Sequence, residues 1–185
     1  LDYQSYDRSP KITAVTSGFI NEGTLETSGV DVQADWNMAL GAGDLTLRMV
    51  YSYLDDFTST QFGEADDLTG EQGFAEHEAL LTAIYSMDRL VVQWETLYIH
   101  ESTVDKSDDL FNFDVDAFVV HDLFAAYNVT DNIRLAAGVD NILDEEAPPI
   151  LTGVTGNTTG WDTNAAVYGV GAIGRSYYMM LDIGF

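Results

Sequence analysis

Apolar and polar residues alternate along most of the chain, the pattern of β-strands that have one apolar face. The clearest example runs from Val30 to Leu40 and again from Leu45 to Tyr53, where every second residue is apolar. Glycines in the intervening GAGD at 41–44 favour a tight turn, so these two segments are predicted to form a hairpin. Helical periodicity is scarce, and the pattern predicts an all-β, antiparallel fold.

The same pattern predicts about eight strands, at 11–20, 30–40, 45–53, 76–86, 90–98, 114–128, 133–139 and 173–185. Short turns are predicted at 41–44, 86–88 and 129–131, and long loops at 55–75, 101–113 and 141–172. Short connections at one end and long ones at the other are typical of outer-membrane β-barrels. The connection at 21–23 is the exception, because it would be a short loop at the end of the long ones.

Aromatic residues near the ends of the apolar faces separate a membrane barrel from a soluble β-sheet protein, which predicts the same alternation. These residues are Trp36, Tyr51, Tyr53, Tyr85, Trp94, Tyr98, Tyr127 and Tyr177. Aromatic girdles at both interfaces are a feature of membrane barrels, and we therefore favour a transmembrane β-barrel. His121 interrupts an otherwise apolar face (Val115, Ala117, Val119, Leu123), which indicates either a bulge or an error in the predicted register.

The composition excludes several classes of function. The 185 residues include 31 acidic and 7 basic side chains, giving a formal net charge of −24. Nucleic acid is therefore excluded as a partner, because phosphate binding needs a basic patch. There is no cysteine, no G-x-S-x-G motif and no metal-ligand spacing among the three histidines. We predict no catalytic, cofactor or metal site, and no enzymatic activity.

Charged residues follow the predicted topology. Acidic residues crowd two predicted long loops, around 55–78 and 101–116, which would make that end of a barrel attractive to cationic ligands. Calcium would suit the oxygens of DKSDD at 105–109, but the spacing is not that of an EF-hand, and a solvated acidic surface is the favoured interpretation. By parity Arg48, Arg89 and Arg134 face the lumen, with Asp31, Asp35, Glu95 or Asp140 as partners.

Three stretches, in order, resemble TonB-dependent outer-membrane receptors. GFINEGTLETSGVDVQADW (18–36) is similar to a strand pair that reads N-x-G followed by G-V/I-D. IRLAAGVDNILDEEAPP (133–149) resembles their penultimate strand, with its G-V-x-N-L/I-x-D ending. GAIGRSYYMMLDIGF (171–185) resembles their last strand, with G-R and a terminal Phe.

The resemblance implies a 22-stranded barrel with a plug domain, of which this chain would be the C-terminal part of the barrel, about eight strands. It implies TonB-dependent, energy-coupled uptake of a scarce nutrient such as a siderophore or carbohydrate, with the TonB complex acting through a plug that this chain lacks. The alternative is a complete eight-stranded barrel with a structural or binding role, whose interior Phe118, Val120 and Phe124 would fill. In a receptor, the same side chains would contact the plug.

Further residues are candidates for specific roles, the first set through this resemblance and the other two from their positions. Tyr177, Leu181, Ile183 and Phe185 would form the C-terminal signal for the barrel-assembly machinery. Phe185 alone would also fit the periplasmic aromatic girdle, and both interpretations can hold together. Arg175 shares the outward parity of Tyr177 and is a candidate contact for lipopolysaccharide phosphates. Trp161, in the last long loop, is a candidate ligand contact by stacking, or a residue that packs the loop.

Overall fold

The computed structural model describes residues 23–107, 112–152, 160–162, 165–169 and 173–184. In this part of the chain twelve strands and one short helix follow in order: β1 (Gly23–Leu40), β2 (Gly43–Gln61), β3 (Glu64–Asp67), β4 (His77–Met87), β5 (Leu90–Ile99), β6 (Ser102–Thr103), β7 (Asp114–Val115), β8 (Phe118–Thr130), β9 (Ile133–Asp140), β10 (Ile150–Thr152), β11 (Gly160–Asp162), α1 (Ala165–Tyr168) and β12 (Ser176–Ile183).

One antiparallel sheet dominates, with the order β1-β2-β4-β5-β8-β9-β12 and with β3 added to the end of β2. The all-β, antiparallel prediction is confirmed. Within the described residues the sheet is open, because β1 and β12 lie at its two edges and do not pair with each other. These residues therefore do not form the closed eight-stranded barrel of the alternative interpretation. The strand predicted at 11–20 and the loop at 21–23 lie mainly outside the described residues.

The strand register sorts side chains onto two faces. One row across four strands reads Met49, Leu81, Thr96 and His121, and the same face carries exposed Trp36, Tyr177 and Met179. We call this the apolar face. The opposite, polar face carries Asp35, which accepts a hydrogen bond from Nε of Arg48 at 2.7 Å, and Asp31, which accepts one from Ser52 at 2.6 Å.

The connections divide between the two ends of the sheet as predicted. Short turns follow β1, β4 and β8, whereas the long connections follow β2, β5 and β9. We call these the turn end and the loop end. Arg48 pairs with Asp35 as expected, but the prediction for Arg89 was wrong: it lies in the turn after β4 and forms an ion pair with Asp131 of the next turn at 3.5 Å. Arg134 lies opposite Asp182 in the register of β9 and β12.

Several strand boundaries differ from the prediction. Residues 55–61 continue β2 instead of starting a loop, and they pair with an extended β1 and with β3. A bulge at Ser28/Gly29 interrupts the alternation there, and a Cβ at Gly29 would collide with the carbonyl oxygen of Tyr53. Val115 is buried in the short hairpin of β6 and β7 and does not extend the apolar face of β8.

Candidate functional site

A small hydrophobic core covers the polar face at the loop end. Ile99, Phe118 and Val120 from β5 and β8 pack against residues from the long connections, namely Ala75, Ala147 and Tyr168. The rings of Phe118 and Tyr168 meet edge to face with centroids 5.2 Å apart. Phe118 and Val120 are therefore covered by loops of the same chain, a partner that the sequence did not predict. Phe124 instead stacks on Tyr178 with centroids 6.5 Å apart.

Gln72 joins all three long connections. Its backbone N–H donates to the carbonyl of Thr103 at 2.8 Å, which ties the first connection to the second. Its side-chain Nε2 donates to the carbonyl of Pro149 at 3.0 Å and to the hydroxyl of Tyr168 at 2.7 Å, both in the third connection. Burial raises the pKa of Tyr168, so this hydroxyl remains neutral. The three connections therefore form one unit, which we call the loop cap.

Charged groups hold the first two connections together at the edge of the cap. Lys106 Nζ lies 2.9 Å from Asp67 Oδ2, and its hydrogen bond lowers the pKa of Asp67 to about 2. The buried side chain of Glu71 accepts a hydrogen bond from the backbone N–H of Lys106 at 2.8 Å. Burial raises the pKa of Glu71 because desolvation disfavours its charged form. Lys106 thus ties the second connection to two carboxylates of the first.

Two open cavities of about 550 Å³ each are both lined in part by residues 114–116. The first has an apolar wall that includes Val104, Phe113 and Pro148, and the second is more polar and includes Lys106. Acidic side chains line both, among them Asp114, Asp116, Glu76, Glu101, Glu145 and Glu146. A cavity of this size fits a small molecule, and the carboxylates favour a cationic or neutral one over an anion.

The G-V-x-N-I-x-D segment has a structural role at the start of the third connection. Asn141 is fully buried with φ of 51°, and its backbone N–H donates to Asp122 Oδ1 at 2.7 Å. Its side-chain amide donates to the carbonyl of Glu145 and accepts from the N–H of Glu145, both at 2.8 Å. Asn tolerates this left-handed backbone conformation and forms local hydrogen bonds to a turn, which explains the residue type.

Asp144 connects that segment to the start of the last strand. Its carboxylate accepts a hydrogen bond from the backbone N–H of Arg175 at 2.9 Å and lies 3.5 Å from the Arg175 guanidinium. Gly138, in the same segment, lies under the ring of Tyr178, where a Cβ would collide with the ring. The two stretches that the sequence analysis singled out separately thus contact each other directly.

The structure distributes the predicted site residues along β12 and the loop cap. Tyr177, Leu181 and Ile183 lie exposed on the apolar face, and Phe185 lies outside the described residues. Trp161 lies in β11 opposite Leu151, and its side chain is outside the described part. Arg175 precedes β12 beside Asp144. Gln72 was missed, and nothing in its local sequence indicates its role.

Two absences hold for the described residues. No group of three or more His, Asp or Glu side chains is arranged there to hold a metal ion. None of the helices in that part of the chain has the length and apolar character needed to cross a membrane.

Comparison with known proteins identifies the fold. The model of the family "TonB dependent receptor-like, beta-barrel" matches residues 2–142. Two solved structures of mutants of the ferric enterobactin receptor of Pseudomonas aeruginosa, one of them in complex with enterobactin, are similar in fold, with TM-scores of 0.55 and 0.52 and identities of 17% and 18%. Each match covers 86% of this chain but only 22% and 23% of the receptor chains.

A search of curated protein sequences gave no match. The family match nevertheless covers well over half of the chain, and the solved receptors share its antiparallel sheet. The chain is therefore a member of the TonB-dependent receptor family, and its sheet is part of the wall of that family's β-barrel.

Proposed function

We propose that this chain forms the C-terminal part of the barrel wall, with its extracellular loops, in an outer-membrane receptor that imports a scarce nutrient. The observation that carries the proposal is the match of residues 2–142 to the receptor barrel. The chain spans less than a quarter of the length of the similar solved receptors. The plug, the remaining strands and the contact with the TonB complex would therefore come from the rest of a longer polypeptide. The chain itself would perform no covalent chemistry.

In this proposal the apolar face meets lipid and the loop end faces the cell exterior. The alternate apolar side chains of β12 support contact of this face with lipid, because membrane strands present every second residue to lipid. Tyr177, Leu181, Ile183 and Phe185 would be recognised by the barrel-assembly machinery. Arg175 stays a candidate contact for lipopolysaccharide, although Asp144 already neutralises part of its charge.

The loop cap would capture the ligand. Both cavities border acidic side chains, and the chain carries a formal net charge of −24. A neutral or cationic nutrient is therefore favoured over an anion, whatever its chemical class. The identities of 17% and 18% to the enterobactin receptors support the fold and leave the ligand of this chain open. Trp161 remains a candidate stacking contact.

The test combines mass and uptake. Denaturing electrophoresis of native outer membranes, probed with an antibody against β8–β9, should reveal a polypeptide about four times heavier than the 20.3 kDa of this chain. A strain that lacks the receptor should lose growth on one scarce nutrient, and a strain without TonB should lose the same growth. A native species of about 20 kDa, or growth that does not depend on TonB for any nutrient, would refute import.

A further inference from the structure

The first cavity lies where the second and third connections of the loop cap meet. Residues 104 and 113–117 line it from the second connection, and residues 145–149 line it from the third. Val115 and Ala147, one from each connection, are buried, and Ala147 also belongs to the small hydrophobic core of the cap. Part of the cavity lining is therefore apolar and held in place by packing.

Hydrogen bonds hold both sides of the first cavity. The backbone N–H of Val104 donates to the carbonyl of Phe113 at 3.0 Å, which continues the pairing of β6 with β7. In the third connection, the Asn141 side chain forms two hydrogen bonds of 2.8 Å to the backbone of Glu145. Neither side needs a ligand to keep its shape, so the cavity is preformed, and a ligand does not have to order the loops when it binds.

Apolar surface of the first cavity is open to solvent. Phe113 is 47% exposed, a large fraction for an aromatic residue, and it lines the cavity together with Val104 and Pro148. Aromatic and aliphatic linings are typical of small-molecule sites, because a ligand that covers such surface removes it from water. The face of a phenyl ring also attracts cations. A ligand with an apolar body would therefore gain free energy by covering this part of the lining.

The rest of the lining is acidic. Four exposed acidic residues line the first cavity, namely Asp114, Asp116, Glu145 and Glu146. No lysine or arginine lies among the described residues that line it. Arg175, in the same connection as Glu145, is paired with Asp144. Carboxylates around a concave surface focus a negative potential, which raises the local concentration of cations.

We propose that the first cavity binds an organic cation with an apolar body, such as a protonated amine that carries an aromatic or branched aliphatic group. The inference rests on the proposed function and names the class of ligand that the loop cap would capture. The amine would meet the carboxylates, and the apolar body would cover Phe113, so that both parts of the lining are used. An anion would be repelled, and a neutral ligand would leave the mutual repulsion of the carboxylates unchanged.

Two alternatives fit the structure less well. A bare metal ion would leave the apolar lining uncovered, and in the described residues no group of three or more His, Asp or Glu side chains is arranged to hold one. The second cavity is more polar and includes Lys106, which brings a positive charge of its own. The first cavity is therefore the one in which an apolar lining coincides with carboxylates and no lining lysine or arginine in the described part of the chain.

The experiment measures binding to the intact receptor, purified from outer membranes in detergent. Three probes carry an indole ring on a short chain, and at neutral pH tryptamine is a cation, tryptophol is neutral and indole-3-propionate is an anion. Ligand-observed NMR titrations, corrected with empty detergent, give the three dissociation constants. Tryptamine should bind about tenfold or more tightly than tryptophol, and the anion should bind most weakly. Equal binding of tryptamine and tryptophol, or stronger binding of the anion, would overturn the proposal.

A matched pair of variants tests the position of the site. Glu145→Gln with Glu146→Gln removes two charges but keeps the size of the side chains, and the preference for tryptamine over tryptophol should fall by about fivefold or more. Glu26→Gln with Glu64→Gln makes the same change at two exposed positions of β1 and β3 that line neither cavity, and should leave the preference unchanged. An unchanged preference in the first variant, or an equal fall in both, would contradict the assigned site.

Phe113→Ala tests the apolar part of the site separately. It should weaken the binding of tryptamine and of tryptophol by a similar factor of about three or more, because both probes carry the indole ring. Unchanged affinity for both probes would overturn the proposal, since the apolar body would then lie elsewhere. Binding is measured on the purified receptor without TonB, so a negative result leaves the import proposal intact, and failed import leaves the binding result intact.

Discussion

Asp144 holds Arg175 by two different atoms, since one carboxylate oxygen accepts the backbone N–H of Arg175 at 2.9 Å and the other lies 3.5 Å from its guanidinium. The two residues are 31 positions apart and begin and end the longest connection of the sheet. The contact fixes where β12 starts, because it orients the backbone one residue before the strand. The two sequence stretches that resemble separate family motifs are therefore linked by a single pair of residues.

Replacing Asp144 should separate these two contributions. Asp144→Asn keeps an acceptor for the Arg175 N–H and tolerates the observed φ of 61°, so we expect a loss of about 0–1 kcal/mol from the ion pair. Asp144→Ala removes both contacts and strains the backbone, and should cost about 1–3 kcal/mol. Urea unfolding of the receptor in detergent gives both values. Equal values for the two variants would show that the backbone hydrogen bond contributes nothing.

A methyl group at Gly138 should force the ring of Tyr178 to move. A Cβ there would collide with the ring of Tyr178, which packs over the glycine and against Phe124. We expect Gly138→Ala to destabilise the receptor by about 1–3 kcal/mol, because the ring must move out of a packed site. The matched control is the double variant with Tyr178→Ala, in which the collision is absent. A cost of Gly138→Ala that persists in the Tyr178→Ala background would exclude the collision as its cause.

Gln72→Ala should loosen the loop cap without weakening the barrel wall. The change removes the hydrogen bonds to Pro149 and Tyr168 but leaves the strand ladders intact. We expect faster amide hydrogen exchange in 141–149, unchanged exchange in β4 and β5, and weaker ligand retention. Gln61→Ala, an exposed glutamine at the same end, is the control and should change neither. Unchanged exchange in 141–149 of the Gln72→Ala variant would mean that the third connection does not depend on this side chain.

The Asp67–Lys106 ion pair should be stable to acid but sensitive to salt. The pKa of Asp67 is about 2, below its ordinary value of 3.8, so its stabilising effect is complete above pH 3.8 and is lost as the pH falls through 2. The pair is partly exposed and is expected to contribute about 0.2–1 kcal/mol, less at high salt. Lys106→Met should raise the pKa of Asp67, measured by carboxylate NMR titration. A pKa that stays near 2 in this variant would assign the shift to Thr69 instead.

Glu71 should have the opposite dependence on pH. Burial raises its pKa above the ordinary 4.5, so the folded cap binds an extra proton just above that pH, and cap stability falls as the pH rises through this window. Glu71→Gln keeps an oxygen for the N–H of Lys106 and removes the charge, so the variant should lose this pH dependence. Hydrogen exchange of residues 102–106 between pH 4 and pH 7 measures it. An identical pH profile in both proteins would contradict the assignment.

The alternation of apolar and polar residues predicted the features that depend only on which face of a strand a residue occupies. The pairing of Arg48 with Asp35 and the outward position of Tyr177, Leu181 and Ile183 follow from alternation within single strands. Parity fails where a strand ends or bulges. Arg89 lies in a connection and not in a strand. The bulge at Gly29 depends on the carbonyl of a residue in the next strand.

The loop cap could not be predicted from local sequence because its contacts are distant along the chain. Gln72 and Tyr168 are 96 positions apart, and neither lies in a periodic segment. His77 and His121 are an intermediate case. Both share the parity of the apolar face of their strands, which the sequence shows, but the residues opposite them, Tyr53 and Thr96, depend on the strand register.

The role of Gln72 also bears on how such a receptor changes its ligand over evolutionary time. Three connections that are joined at one residue cannot diverge independently, because a length change in any of them disturbs the other two. Variation should therefore accumulate at side chains that border the cavities but lie outside this network, such as the exposed Glu145 and Glu146. New specificity would then arise by exchanging side chains on a conserved frame, and only rarely by exchanging whole loops.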